Sequence, residues 1–400
     1  KLNTLVGAFA GDALTDADSN VALGYAALTS DTLGSDSVAI GRDALFNQNF
    51  GTATNAYNVA VGYNAGLSVT SAVQNTLIGA LSGDALTQGA RNTVLGYSAL
   101  GADTLGQYAI AIGYAALTSQ NFTTATNNYN IAIGYNAGLN VTTGIHNTLV
   151  GSLSGDALTD SDYNVAVGYA ALSSDTLGSK SVAIGRRTLV TQNFTTAVDA
   201  YNTAVGFEAG YAITTGTQNT LIGGLAGDAL TTSDYNVAVG YAALGNEQAG
   251  ARTVAIGRSA LQAQRQTTAT EVQNTAVGYA AGADVSTGVN NTLIGGECGD
   301  AITTGSGNTV IGQNVDISGP TGVQQVAVGF NFTAGGNNTV RFGVPAGTAT
   351  LSLDGSDTSW AAASDQRLKK DIADSTVGLS FINALRPVTF KWNAKDAIAD

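Results

Sequence analysis

The sequence predicts an all-β protein: a parallel β-roll or β-solenoid of about twenty rungs, followed by a short α/β segment at the C-terminus. Three observations predict it. First, the phrase NVAVGYAAL fills Asn164–Leu172 and recurs letter for letter at Asn236–Leu244, and variants of it run from the first residues to about residue 343. Second, the glycine closing the phrase recurs in steps of 17, 17, 21 and 17, so that Gly7, Gly79, Gly151, Gly223 and Gly295 mark successive copies of one larger unit. Third, the chain is 44% hydrophobic but only 11% charged, with 51 glycines, which is too apolar for a disordered segment. Repeats nested within repeats mark a stacked architecture that grows by adding rungs.

Each phrase reads as a short strand and a turn. In NVAVG, Val237 and Val239 fall on one face while Asn236 and Ala238 fall on the other. Hydrophobicity alone makes the valines the core face. The glycine permits the bend that follows. A second short apolar element, such as Ala242–Leu244, suggests two strands and two turns per rung. One rung buries little by itself. Rungs stacked at ~4.8 Å bury a continuous core and give a rod roughly 90–100 Å long. No stretch before residue 365 sustains a helical period with caps.

The asparagine four residues before the glycine recurs in most rungs, for instance at 20, 58, 75, 92 and 164, and is expected to form a structural amide ladder along the stack. The third rung of each unit interrupts it with Ser37, Ala109, Ser181 or Thr253. The longer steps insert four residues at one place in each unit, predicting loops at one edge. Phe50, Phe122 and Phe194 sit in three of these loops, and Gln266 in the fourth. They are candidate contact residues if exposed, and rung caps if folded back.

The residue after the glycine also follows the unit. It is small in the first rung, then Tyr25, Tyr97, Tyr169 and Tyr241 in the second, then Arg42, Arg186 and Arg258 (with Tyr114 the exception) in the third. This column offers candidate groups for stacking on sugars or pairing with acidic glycans, with packing between rungs as the plainer role. Asp12, Asp84, Asp156, Asp228 and Asp300 lie in Gly-Asp-Ala turns four rungs apart, too far to share an ion, so turn chemistry accounts for them. No metal or cofactor is expected.

The net charge of −13 argues against a nucleic-acid partner, and no apolar run reaches membrane-spanning length. Cys298, the single cysteine, excludes an intrachain disulfide and reads as a small buried hydrophobe. The chain starts at Lys1 and lacks methionine and a signal peptide, which suggests a fragment or processed product. After Gly312 the repeat decays, and Pro320 and Pro345 enter where the units have none. Residues 346–363 read as a strand pair or connector, and Ser375 to Pro387 as a capped helix.

Two resemblances follow. The repeated phrases resemble the head repeats of trimeric autotransporter adhesins and many phage tail fibres, although the 17/21 spacing departs from the shorter adhesin repeat. This resemblance implies a homotrimer in which the small face, Ala238 and its equivalents, allows close approach. Second, SDQRLKKDI at 364–372, followed by Leu379, Leu385, Arg386, Pro387, Val388, Phe390 and Trp392, resembles the start of the C-terminal intramolecular chaperone of phage tailspikes, tail fibres and endosialidases. That family assembles its trimer and then cuts itself. The resemblance implies a scissile bond at Ala363–Ser364, with Ser364 as nucleophile and Lys369 as its base. His146, the only histidine, is distant in sequence, so no Ser-His-Asp triad is available.

The expected organisation is a repeat shaft over 1–313, degenerate repeats and a connector over 314–363, and the start of the chaperone over 364–400. The expected function is host attachment by a trimeric tail fibre in the virion tail, with self, a host surface glycan or protein receptor and other tail or baseplate proteins as partners. No insertion into a membrane is expected. The alternatives are a bacterial surface adhesin and a glycan-depolymerising tailspike.

Overall fold

A computed structural model describes residues 2–353 and the two-residue strand Ala361–Ala362. The chain divides into two units, Lys1–Ala361 and Ala362–Asp400. The first is a parallel β-solenoid of about twenty turns, with no helix among the described residues. The second lies almost wholly outside them, as does the helix expected near Ser375.

Each turn up to Ile311 contributes one three-residue strand to a single continuous sheet, and the last turns longer ones. Thr4 pairs with Val21 across a short step, and Val38 with Val59 across a long one. The register therefore reproduces the glycine spacing. A second strand, of two residues, forms around each long rung, as in Gly34–Ser35 against Thr54–Asn55, and once more near the end of the stack, Val315–Asp316 against Phe332–Thr333. Elsewhere the expected second strand is a ladder of turns. Leu28 and Leu244 adopt left-handed φ of 55° and 56°, and their amides reach the carbonyls of the next rung at 2.9 and 3.0 Å. The stack ends in an antiparallel hairpin, Thr339–Val344 against Gly347–Ser352, of which only the second strand falls within the 346–363 stretch expected to hold a strand pair or connector.

The interior reverses the expected face. Asn236 and Ala238 are fully buried, whereas Val237 and Val239 are only half-buried. The reason lies in the asparagine. Asn164 Nδ2 donates to Gly178 O at 2.9 Å, across its own rung, and its Oδ1 accepts the amide of Ser181, one rung on, at 2.9 Å. Both bonds require the side chain to point inward, and strand alternation then carries Ala166 inward with it. The ladder thus runs mainly from side chain to backbone rather than from amide to amide; Asn219 to Asn202 (3.2 Å) and Asn308 to Asn291 (3.0 Å) are side-chain pairs. Ala238 therefore cannot be the face on which chains approach one another.

The narrow core is filled by complementary sizes. Where the inward strand residue is alanine, as at Ala22 and Ala166, a turn leucine (Leu28, Leu172) fills the space. Where it is Leu77, the turn carries Gly83. A Cβ on Gly83 would lie 2.9 Å from Leu77 Cδ2 and 2.8 Å from Leu86 Cδ1. Gly168 shows the close backbone approach typical of the step glycines: φ is 132°, and an added Cβ would stand 2.5 Å from the Gly185 carbonyl oxygen above it. The step glycine is required by this contact between rungs as much as by its bend.

Candidate functional site

Four surfaces carry chemistry, and the first is the column after the glycine. Tyr25, Tyr97, Tyr169 and Tyr241 are each about half exposed. Tyr97, Tyr114 and Tyr135 stack at 5.5 and 5.4 Å between centroids. Arg42 lies 5.0 Å over Tyr63, Arg186 5.3 Å over Phe207, and Arg258 5.7 Å over Tyr279. Arg42 also pairs with Asp43 at 2.9 Å and Arg186 with Glu208 at 3.0 Å. The rings and guanidinium groups thus spend much of their contact area on each other. Ala80, Ser152 and Gly224 leave gaps, so the column is a series of short stacks.

The long-rung loops do not present their aromatic residues. Phe50, Phe122 and Phe194 are each only 5% exposed, while residues 51–53 at the first loop tip are open. The cause is a buried carboxylate. Asp31 accepts Gln48 Nε2 at 2.6 Å and the Gly34 amide at 2.9 Å, with the Phe50 amide at 3.4 Å. Gln48 Oε1 in turn accepts Asn58 Nδ2 at 2.8 Å. The acid recurs as Asp103, Asp175 and Glu247, all fully buried. Burial raises the pKa of Asp103 against the hydrogen bonds from Gln120, Phe122 and Gly106. A carboxylate this well coordinated is a structural anchor, and it draws the start of the loop inward. Its signal in the sequence is an acid at a fixed place after every second-rung glycine.

The second surface is a column that sequence reasoning missed, one residue before the asparagine. Arg91 lies 5.4 Å over Tyr108, which stacks on Tyr129 at 5.2 Å. Tyr129 stacks on His146 at 5.2 Å, and His146 on Tyr163 at 5.0 Å. Lys180 continues it, 5.2 Å over the Tyr201 ring and 2.5 Å from Asp199, whose carboxylate raises the Lys180 pKa. The equal spacing of Tyr57, Tyr129 and Tyr201 was visible in the sequence, but their shared surface depends on left-handed residues with φ near 50°.

The third surface is the outer face of the sheet. Ile184, Ile222, Ile256, Ile294 and Ile311 are each 37–41% exposed, and Leu23 and Leu95 slightly more. They form a continuous apolar stripe along the stack.

The fourth is near the end of the solenoid. Asp316 accepts the Ala301 amide at 3.3 Å and lies beside Asp300. Burial, with the Asp300 charge adding to it, lifts the Asp316 carboxyl to about 6. Cys298, buried nearby, donates to Val310 O at 3.1 Å, and burial pushes its thiol up to about 12, so it is a hydrophobe rather than a nucleophile. No cluster of ligating side chains able to hold a metal ion occurs among the described residues, and no helix among them is long and apolar enough to cross a membrane. Ser364 and Lys369 lie outside the described residues.

Residues 364–400 match the family described as chaperone of endosialidase. No curated protein matches the chain. A parallel solenoid ahead of such a segment fits a phage tail fibre with a C-terminal chaperone domain.

Proposed function

We propose that the chain is the shaft of a homotrimeric phage tail fibre or tailspike-type protein, located in the virion tail and serving host attachment. The observation carrying this reading is the succession of a solenoid of repeated four-rung units and a segment matching the chaperone of endosialidase at 364–400. In this reading the chaperone segment drives trimerisation and cuts itself off at Ala363–Ser364, with Ser364 attacking and Lys369 taking its proton. The three chains meet on the Val/Ile face, since Ala238 and its equivalents are consumed inside each chain. A long apolar stripe of half-exposed β-branched side chains is the surface a homo-oligomer covers. Repeated weak contacts along the outward columns then add by avidity.

Mass spectrometry of the full-length chain beside Ser364→Ala, with native mass on both, tests this reading. A wild-type product ending at Ala363, absent from the variant, together with a threefold native mass, is the expected result. An uncut trimer removes the catalytic roles of Ser364 and Lys369. An uncut monomer overturns the trimeric fibre.

A further inference from the structure

The first three units close one stretch of surface in the same way. The hydroxyls of Thr32, Thr104 and Thr176 donate to the Oδ1 atoms of Asn49, Asn121 and Asn193, each at 3.0 Å. At the same place in the fourth unit the pair is Gln248 and Arg265. No bond joins them, and a cavity of about 430 Å³ opens, lined by Ala229, Asn246, Gln248, Ala263 and Arg265. Ala263 stands where the earlier units carry Asn47, Ser119 and Thr191, so bulk has been removed as well.

Arg265 is distinct among the described cations. Arg42, Arg186, Arg187, Arg252 and Lys180 each meet a carboxylate. Arg91 and Arg258 lie over tyrosine rings, and Arg341 bonds to Thr333 and Thr350. The Arg265 guanidinium has none of these partners, and the residue, exposed, lines the cavity. The acids nearby do not neutralise it. Glu247 Oε1 accepts the amides of Gln248, Gly250 and Gln266 at 2.9, 2.7 and 2.9 Å, and its Oε2 accepts Gln264 Nε2 at 2.9 Å. It is fully buried. Asp228, next to Ala229, is half-buried and forms no ion pair with Arg265.

We propose that this cavity binds a carboxylate-bearing sugar, of the uronic acid class. The guanidinium fork matches the two oxygens of a planar carboxylate. A single cation suits one negative charge better than the higher charge of a phosphate monoester. Asn246 and Gln248 each offer a donor and an acceptor, the pairing that sugar hydroxyls use. The methyls of Ala229 and Ala263 give the apolar wall on which the C–H face of a ring rests. The volume, about 430 Å³, lies within the range of small-ligand pockets, roughly 300–1,000 Å³. The site gives the attachment reading a ligand class and rests on that reading only for its biological use.

The test is calorimetric titration of the full chain with a galacturonic acid trisaccharide and with its carboxyl-reduced, neutral counterpart. Two variants are compared: Arg265→Gln, and the double change Gln248→Thr with Arg265→Asn, which restores the closed pair of the first three units. The expected result is binding of the acid, with the neutral sugar and both variants weaker by about tenfold or more and thermal unfolding unchanged. Equal binding of acid and neutral sugar, undiminished binding by the variants, or no binding by the wild type overturns the site. Adhesion to host cells is measured separately. Saccharide binding lost in Arg265→Gln supports the site even where the chain adheres to no cell, in which case only the attachment reading fails. Adhesion without saccharide binding overturns the site and leaves that reading standing.

Discussion

Asn128 gives the backbone amide of Asn130 a side-chain acceptor that no other unit carries. Where the other units have Ser37, Ser181 or Thr253, whose hydroxyls accept Gln48, Gln192 and Gln264 Nε2 at 3.0, 3.1 and 3.1 Å, the third rung here has Ala109, which offers Gln120 no such acceptor. The Asn130 amide donates to Asn128 Oδ1 at 2.9 Å, and Asn128 stands where the other units have Ala56, Ala200 and Val272. Two departures from the repeat thus fall in one unit, one removing a buried acceptor and the other adding one. Asn128 Nδ2 is left buried without a partner.

The pair makes a double-mutant cycle. Asn128→Ala is expected to lower stability by about 1 kcal/mol, because the buried Asn130 amide loses its acceptor. Ala109→Ser in the same background restores the pattern of the first unit, where Gln48 Nε2 donates to Ser37 Oγ at 3.0 Å, and so returns that acceptor to Gln120. The combined variant should recover part of the loss through this separate bond. Denaturant midpoints of the four proteins check this, and a combined variant no more stable than Asn128→Ala would disprove it.

Replacing a step glycine should be far more costly than replacing a loop glycine. In Gly168→Ala the methyl meets the Gly185 carbonyl at 2.5 Å, at a φ that L-residues avoid. The expected loss is about 3 kcal/mol or more, concentrated in the adjoining rungs because a solenoid is coupled to its neighbours. Gly51 has nothing within 4 Å of an added methyl, so Gly51→Ala should stay within about 0.5 kcal/mol of wild type. Hydrogen exchange of the Gly185 and Gly168 amides reads the local effect directly.

The outer isoleucines should govern assembly rather than folding. Ile184→Asp with Ile222→Asp places two charges on the exposed stripe and disturbs no buried contact. The far-ultraviolet circular dichroism should stay that of the wild type while the native mass falls from trimer to monomer. A trimer that survives both charges would put the contact on another face.

The repeat lengths, the parallel stacking and the asparagine column were legible because each is periodic in the sequence. The inward face was not, because hydrophobicity ranks valine above alanine and says nothing about where Asn164 must send its two hydrogen bonds. The turn ladder was hidden for a related reason. Leu28 and Leu244 sit at left-handed φ, a conformation that composition does not announce in a leucine. Loop chemistry alone left Phe50 open between an exposed contact and a folded-back cap. Its burial depends on Asp31, one rung earlier, and on Gln48, whose roles emerge only when the rungs are superposed. The surface around Arg265 is legible in retrospect as the one place where a Thr–Asn pair, constant through three units, becomes Gln and Arg.

The last rungs should respond to pH through Asp316. Its folded pKa of about 6 lies above the ordinary 3.8, so between these values the folded state holds a proton that the unfolded state has released. Stability therefore falls as pH rises from about 4 to about 6 and is level above that window. Asp316→Asn keeps an oxygen for the Ala301 amide and removes the titration. It should stabilise the C-terminal rungs near pH 7 by about 1 kcal/mol, a figure discounted for the solvent that still reaches the group. At pH 4 the variant and wild type should coincide. Hydrogen exchange at Ala301 at both pH values decides the matter, and a wild type more protected at pH 7 than at pH 4 would reverse the sign and refute the assignment.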